Sequence, residues 1–167
     1  MTVQEMIREE AARQGVDPAL ALAAAYVESR FNQGARGTSG EIGVFQLIPR
    51  TAASLGVDPY DDYGNIRGGV MYLRQMLAVC GGREDYALAA YNSGPDACTE
   101  GNIPPSAWSH AQRVLVAKGM FAGAEPEIPG GPIQPFGPVY TAGVGDVNWK
   151  TAALIVAAGL ALLFLAD

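Results

Sequence analysis

The stretch DPALALAAAYVESRFN, Asp17 to Asn32, decides the fold. Asp17 is a helix N-cap, and Pro18 fits the first helical position, where a missing N–H leaves nothing unsatisfied. The residues that follow are apolar on every side as far as Val27. This composition predicts a thin, alanine-lined helix that lies inside a core. Glu28 then appears in the last turn, just before NQGARGTSGEIG, which is too rich in glycine to be anything but a loop. Most glutamates near a helix end are solvated. Here the negative end of the helix dipole and the apolar neighbours both disfavour the charged carboxylate. A carboxylic acid that keeps its proton near neutral pH is what general-acid cleavage of a glycosidic bond requires. Glu28 is therefore the first catalytic candidate.

Working outward, the punctuation is helical throughout. In MTVQEMIREE, Val3, Met6, Ile7 and Ala11 fall at helical spacing and predict a first helix. That stretch lacks the positive start and apolar run of a secretory signal, so delivery outside the cytoplasm would need another route. A short helix is expected over Arg50 to Leu55, closed by Gly56. Asn65 is expected to open a longer one, with Ile66, Val70, Leu73 and Leu77 on one face and Gly81-Gly82 at its end. REDYALAAYNSGP reads as a helix broken at Ser93-Gly94-Pro95, and Pro105 to Met120 as the last, with Trp108, Ala111, Val114 and Leu115 inward. No strand-length alternation and no internal repeat stand out.

The expected fold class is mainly α, in three parts. Residues 1–121 form a helical domain. Residues 122–146 hold five prolines and six glycines and make a Pro/Gly-rich linker, with a reach of roughly 75 Å at about 3 Å per residue. Residues 147–167 are read as a C-terminal transmembrane helix that anchors the chain in a membrane. The run Thr151–Ala166 carries no charge, but as a helix it is about 24 Å long against a hydrocarbon core of about 30 Å. Trp149 and Lys150 sit where an interfacial aromatic and a snorkelling cation would extend it.

The chain has 167 residues, 49% of them hydrophobic, and a net charge of −6. Its basic residues are scattered singly, which argues against nucleic acid as a partner. Cys80, Cys98 and His110 are too few to hold zinc, so no metal and no cofactor is expected. Two buried free thiols are favoured over a disulfide. His110 is read as a surface or packing residue, and Tyr60 and Tyr63 as loop-packing aromatics before sugar-stacking ones.

Four short motifs occur in order: Glu28-Ser29-Arg30-Phe31-Asn32, Gly43-Val44-Phe45-Gln46 with Pro49 and Thr51-Ala52, Asn65-Ile66 with Tyr72-Leu73, and Ala87 to Pro95 with Tyr91-Asn92. Together, over roughly residues 15 to 115, they resemble the soluble lytic transglycosylase family, whose goose-type lysozyme-like domain cleaves the glycan strands of peptidoglycan. The resemblance implies that Glu28 is the single catalytic acid and base. It implies that Ser29 orients substrate or glutamate, that Gln46 lines the cleft, and that Tyr91 and Asn92 lie across it. Many members read Gly-Leu-Met-Gln at the second motif. Here Val44-Phe45 keeps an apolar residue that is expected against the sugar site.

Family members cut between N-acetylmuramic acid and N-acetylglucosamine and leave a 1,6-anhydro product, without the second carboxylate a hydrolase needs. Glu41, Asp61 and Asp62 could supply one, but a solvated or capping role is expected for each. A hydrolytic goose-type lysozyme is the alternative enzyme, and an inactive glycan-binding structural module the alternative of another class. The layout looks like that of membrane-anchored phage virion transglycosylases. It implies a particle protein that opens the host periplasmic cell wall during genome entry, with other virion proteins as partners.

Overall fold

The computed structural model describes residues 1–123. The expected linker beyond residue 123 and the expected membrane anchor lie outside the described residues. Among the described residues, no helix is long and apolar enough to cross a membrane.

The described residues form seven helices in order: α1 (Val3–Gln14), α2 (Pro18–Ser29), α3 (Pro49–Ser54), α4 (Asp62–Val79), α5 (Glu84–Ser93), α6 (Asp96–Thr99) and α7 (Pro105–Phe121). Their ends have local causes. Thr2 and Glu5 form a reciprocal capping box on α1, and Gly15 closes it in the left-handed conformation. Asp17 accepts the Ala19 N–H at 2.8 Å and starts α2. The helix α4 begins at Asp62, three residues ahead of the expected Asn65, because Asp61 caps it by accepting the Gly64 N–H. The four-residue α6 was not expected; it follows directly on the turn at Gly94-Pro95. Between α2 and α3 the chain forms only isolated bridges, Arg36 with Ile42 and Ile42 with Leu47.

The helix α2 is buried as its composition requires: Leu20 to Ala25 are six consecutive core residues. Alanine side chains let neighbours approach closely on all sides, and α2 packs against both α1 and α7. In turn α7 packs on α5, α5 on α4, and α4 on α1, so five helices close a ring of pairwise packings. Lys118 of α7 reinforces it by pairing with Asp17 at 2.7 Å and with Glu84 at 2.8 Å. Burial opposes the Lys118 charge, but these partners outweigh it and hold its pKa above the ordinary lysine value.

The loop before α3 enters the core. Ile42, Val44, Phe45 and Leu47 are all buried. Phe45 packs so closely on Gly69 of α4 that a Cβ there would stand 2.0 Å from its ring. Cys80, at the end of α4, and Cys98, in α6, form a disulfide with Cα atoms 5.3 Å apart. This overturns the expectation of free thiols. The break at Gly94-Pro95 folds α6 back along α5 and returns Cys98 to the end of α4.

Candidate functional site

A cavity of about 320 Å³ opens between the end of α2, the loop before α3, and helices α4 and α5. Its lining includes Glu28, Glu41, Gln46, Tyr72, Tyr91 and Asn92. Glu28 thus reaches the cavity from the last turn of α2, and four of the five residues singled out in the sequence converge on it.

Ser29 is the exception. It is not part of the lining, and its hydroxyl donates to the Val44 carbonyl at 2.8 Å while accepting the Asn32 N–H at 3.0 Å. It therefore ties the end of α2 to the loop behind the cavity. Val44 and Phe45 do not meet the sugar-side expectation either: both are fully buried and neither lines the cavity. Phe45 acts through its backbone, its carbonyl accepting the Tyr91 hydroxyl at 2.9 Å and its N–H donating to Asn65.

The site is built on backbone that ordinary residues rarely adopt. Arg30 and Phe31, directly after Glu28-Ser29, have φ of 54° and 66°, and Gln46 has φ of 46°. Side chains in this region carry a steric cost that surrounding contacts must hold in place. For Phe31 these are the rings of Tyr26 and Phe121, at 5.8 and 6.0 Å between centroids. For Gln46 it is a 2.8 Å bond from its amide nitrogen to the Gly43 carbonyl. Gly43 itself has φ of 74° and abuts the Asn65 side chain, so only glycine fits there.

Tyr91 keeps its proton. Burial, then the charge of Glu28 and the neighbouring Tyr72, push its phenol well above the ordinary tyrosine value. Its ring lies 5.0 Å from that of Tyr72, whose phenol burial also pushes up. Together they give the cavity a neutral aromatic wall opposite the glutamate.

The largest departure from the sequence reading is His110. It is 4% exposed, and its Nε2 lies 2.8 Å from Oε1 of Glu28. Of the four residues expected inward on α7, Ala111 and Val114 are buried while Trp108 and Leu115 are only partly covered, and Ala107, His110 and Ala117 complete the buried face. The signal was present in the small residues, whose three- and four-residue spacing puts His110 on the inward face. The expected roles of other residues hold better. Asp61 is a cap, and Glu41 accepts the Ser39 N–H at 2.9 Å within the glycine loop, although it also lines the cavity. Tyr63 donates to the buried Glu10 at 3.0 Å, Tyr60 carries Arg36 over its ring, and neither lines the cavity.

Comparison with known proteins identifies relatives of this chain and of its fold. The sequence pattern of the Transglycosylase SLT domain matches residues 5–102. A membrane-bound lytic murein transglycosylase F of Shewanella frigidimarina is 39% identical over 107 residues, 56% of this chain and 22% of that protein. The transglycosylase of Enterobacteria phage PRD1 is 38% identical over 91 residues, 54% of this chain and 34% of that protein. The chain therefore spans about a fifth to a third of the length of these relatives. The lytic transglycosylase Slt of Pseudomonas aeruginosa superposes with a TM-score of 0.63 at 24% identity, over 71% of this chain and 24% of that one. The 70 kDa soluble lytic transglycosylase of Escherichia coli gives 0.63 at 22% identity, with the same coverage. These likenesses show a lysozyme-like lytic transglycosylase fold.

Proposed function

Because the chain belongs to the Transglycosylase SLT domain family, we propose that it is a peptidoglycan lytic transglycosylase with Glu28 as its one acid and base. The observation that carries this reading is the position of Glu28, at a helix end in the wall of a cavity that Gln46, Tyr91 and Asn92 share. In the proposed reaction the Glu28 carboxylic acid protonates the glycosidic oxygen as the bond to muramoyl C1 breaks. N-acetylglucosamine leaves with a free 4-hydroxyl. The muramoyl 6-hydroxyl oxygen then bonds to C1 and its proton returns to the carboxylate, which closes the 1,6-anhydro ring and restores the acid. Tyr91 and Tyr72, neutral and partly apolar, offer ring faces to sugar C–H surfaces. Asn92 and Gln46 offer amides to the acetamido groups and hydroxyls.

Glu41 supports a second reading, since it is a further carboxylate in the lining and could serve a water in a hydrolase. Its bond to the Ser39 N–H favours a loop-holding role. Purified peptidoglycan digested with the chain is expected to yield 1,6-anhydro muropeptides by mass spectrometry; reducing ends would establish hydrolysis instead. Glu28→Gln removes the titratable proton with little change in volume and is expected to lower the rate by about 10³-fold or more, within the range that general acid catalysis supplies. An unchanged rate would overturn the mechanism.

The setting we propose is a membrane-tethered enzyme. Residues 122–146 act as the tether and residues 147–167 as the anchor, and the catalytic unit reaches the cell wall from a virion during genome entry. The similarity to a phage transglycosylase and to relatives named as membrane-bound supports it, as does the uncharged run Thr151–Ala166.

A further inference from the structure

Resting on the reading of Glu28 as acid and base, we infer that His110 is its positioning residue. Held neutral with hydrogen on Nε2, the imidazole donates to Oε1 and leaves Oε2 as the oxygen that gives and takes the reaction's proton. The argument starts from two atoms of one ring. Nε2 lies 2.8 Å from Glu28 Oε1, while Nδ1 is buried and has no hydrogen-bond partner among the described residues. Three forms of the ring must be compared against that surrounding.

The imidazolium would carry hydrogen on both nitrogens and place a charged N–H at Nδ1 against no acceptor, which burial penalises most. The tautomer with hydrogen on Nδ1 also strands a buried donor. In addition it forces Nε2 to accept from Glu28, so the acid proton would point into α7 and away from the cavity. The tautomer with hydrogen on Nε2 strands only an acceptor lone pair, the least costly of the three, and satisfies the carboxylate. His110 is not part of the cavity lining. It stands behind Glu28 and acts through it, not on the sugar.

The arrangement restricts the glutamate in a way the short motifs do not encode. A carboxylate at a helix end otherwise rotates and exchanges its oxygens. One bond from α7 fixes which oxygen is engaged and which is available, the kind of support that holds a reacting group in productive geometry. The match to the SLT domain ends at residue 102, so this contact is made by a helix beyond the matched segment.

Because His110 is the only histidine in the chain, ring-nitrogen NMR of full-length protein labelled in histidine reads it without overlap. The expected spectrum at neutral pH shows a protonated Nε2 and an imine-like Nδ1. Imidazolium, or hydrogen on Nδ1, overturns the inference whatever the activity. His110→Phe is expected to lower kcat about 10- to 100-fold with KM changed less than about two-fold. His110→Gln, whose amide nitrogen can replace Nε2, should recover most of the loss. Wild-type kcat in His110→Phe, or equal loss in both variants with unchanged melting, refutes the positioning role. These outcomes separate from failure of the functional reading, in which the wild-type chain itself would release no muropeptides from peptidoglycan.

Discussion

At the residue scale, Asn65 shows how a polar side chain can hold the loop that lines the cavity. It is fully buried. Its amide nitrogen donates to the Ile42 and Pro59 carbonyls at 2.8 and 3.1 Å, and its oxygen accepts the Phe45 N–H at 2.9 Å. A loop drawn into a core needs such partners, because its own backbone groups have no ladder to join. Asn65→Leu keeps roughly the size but strands three backbone groups. The expected loss is about 3 kcal/mol or more, read from urea unfolding, with activity falling as Gln46 and the Phe45 carbonyl lose their support. In the sequence Asn65 was visible only as a helix-opening residue inside a motif. Its partners lie 6 to 23 positions away, and no local pattern encodes that pairing. Glu28 was legible for the opposite reason: a helix end and its apolar flank are local facts. His110 was not, since alanine neighbours give weak hydrophobic contrast and its partner on α2 lies 82 positions away.

At the element scale, helices with a side-chain cap or a glycine stop were readable to within a few residues, because the capping chemistry is written beside the element it limits. The start of α4 was displaced because Tyr60-Asp61-Asp62-Tyr63-Gly64 has turn composition, and only the fold shows that Asp61 spends its oxygen on the Gly64 N–H. The disulfide belongs to this scale. It joins the end of α4 to α6 across 18 residues, and restricting a loop of that length in the unfolded chain is worth about 3 kcal/mol. Replacing Cys80 and Cys98 together by serine is expected to lower unfolding free energy by about that amount, measured by urea titration. Reductant should then destabilise the native chain and leave the double variant unmoved. The pairing could not be read from two cysteines alone, since it depends on α6, a helix too short to announce itself.

At the scale of the whole molecule, the ring of α1, α2, α7, α5 and α4 means that family resemblance and folding unit have different limits. The matched segment stops at residue 102, but α7 covers α2 and α5. A chain stopped after residue 102 is expected to expose that apolar surface and fail to fold cooperatively by circular dichroism. A chain stopped after residue 146 should fold, digest peptidoglycan and lose the vesicle binding expected of the full chain; retained binding would refute the C-terminal anchor. The helical class was legible because helix starts and stops are written locally, in capping residues, prolines and glycines. Ring closure was not, as it is a relation among five helices. It also has a consequence in time. Glu28 and His110 are 82 positions apart, so a polypeptide growing from its N-terminus holds the acid long before it holds the imidazole that aims it. By this reading a nascent chain carries an unfinished active centre, and the capacity to cut arrives only once α7 has emerged.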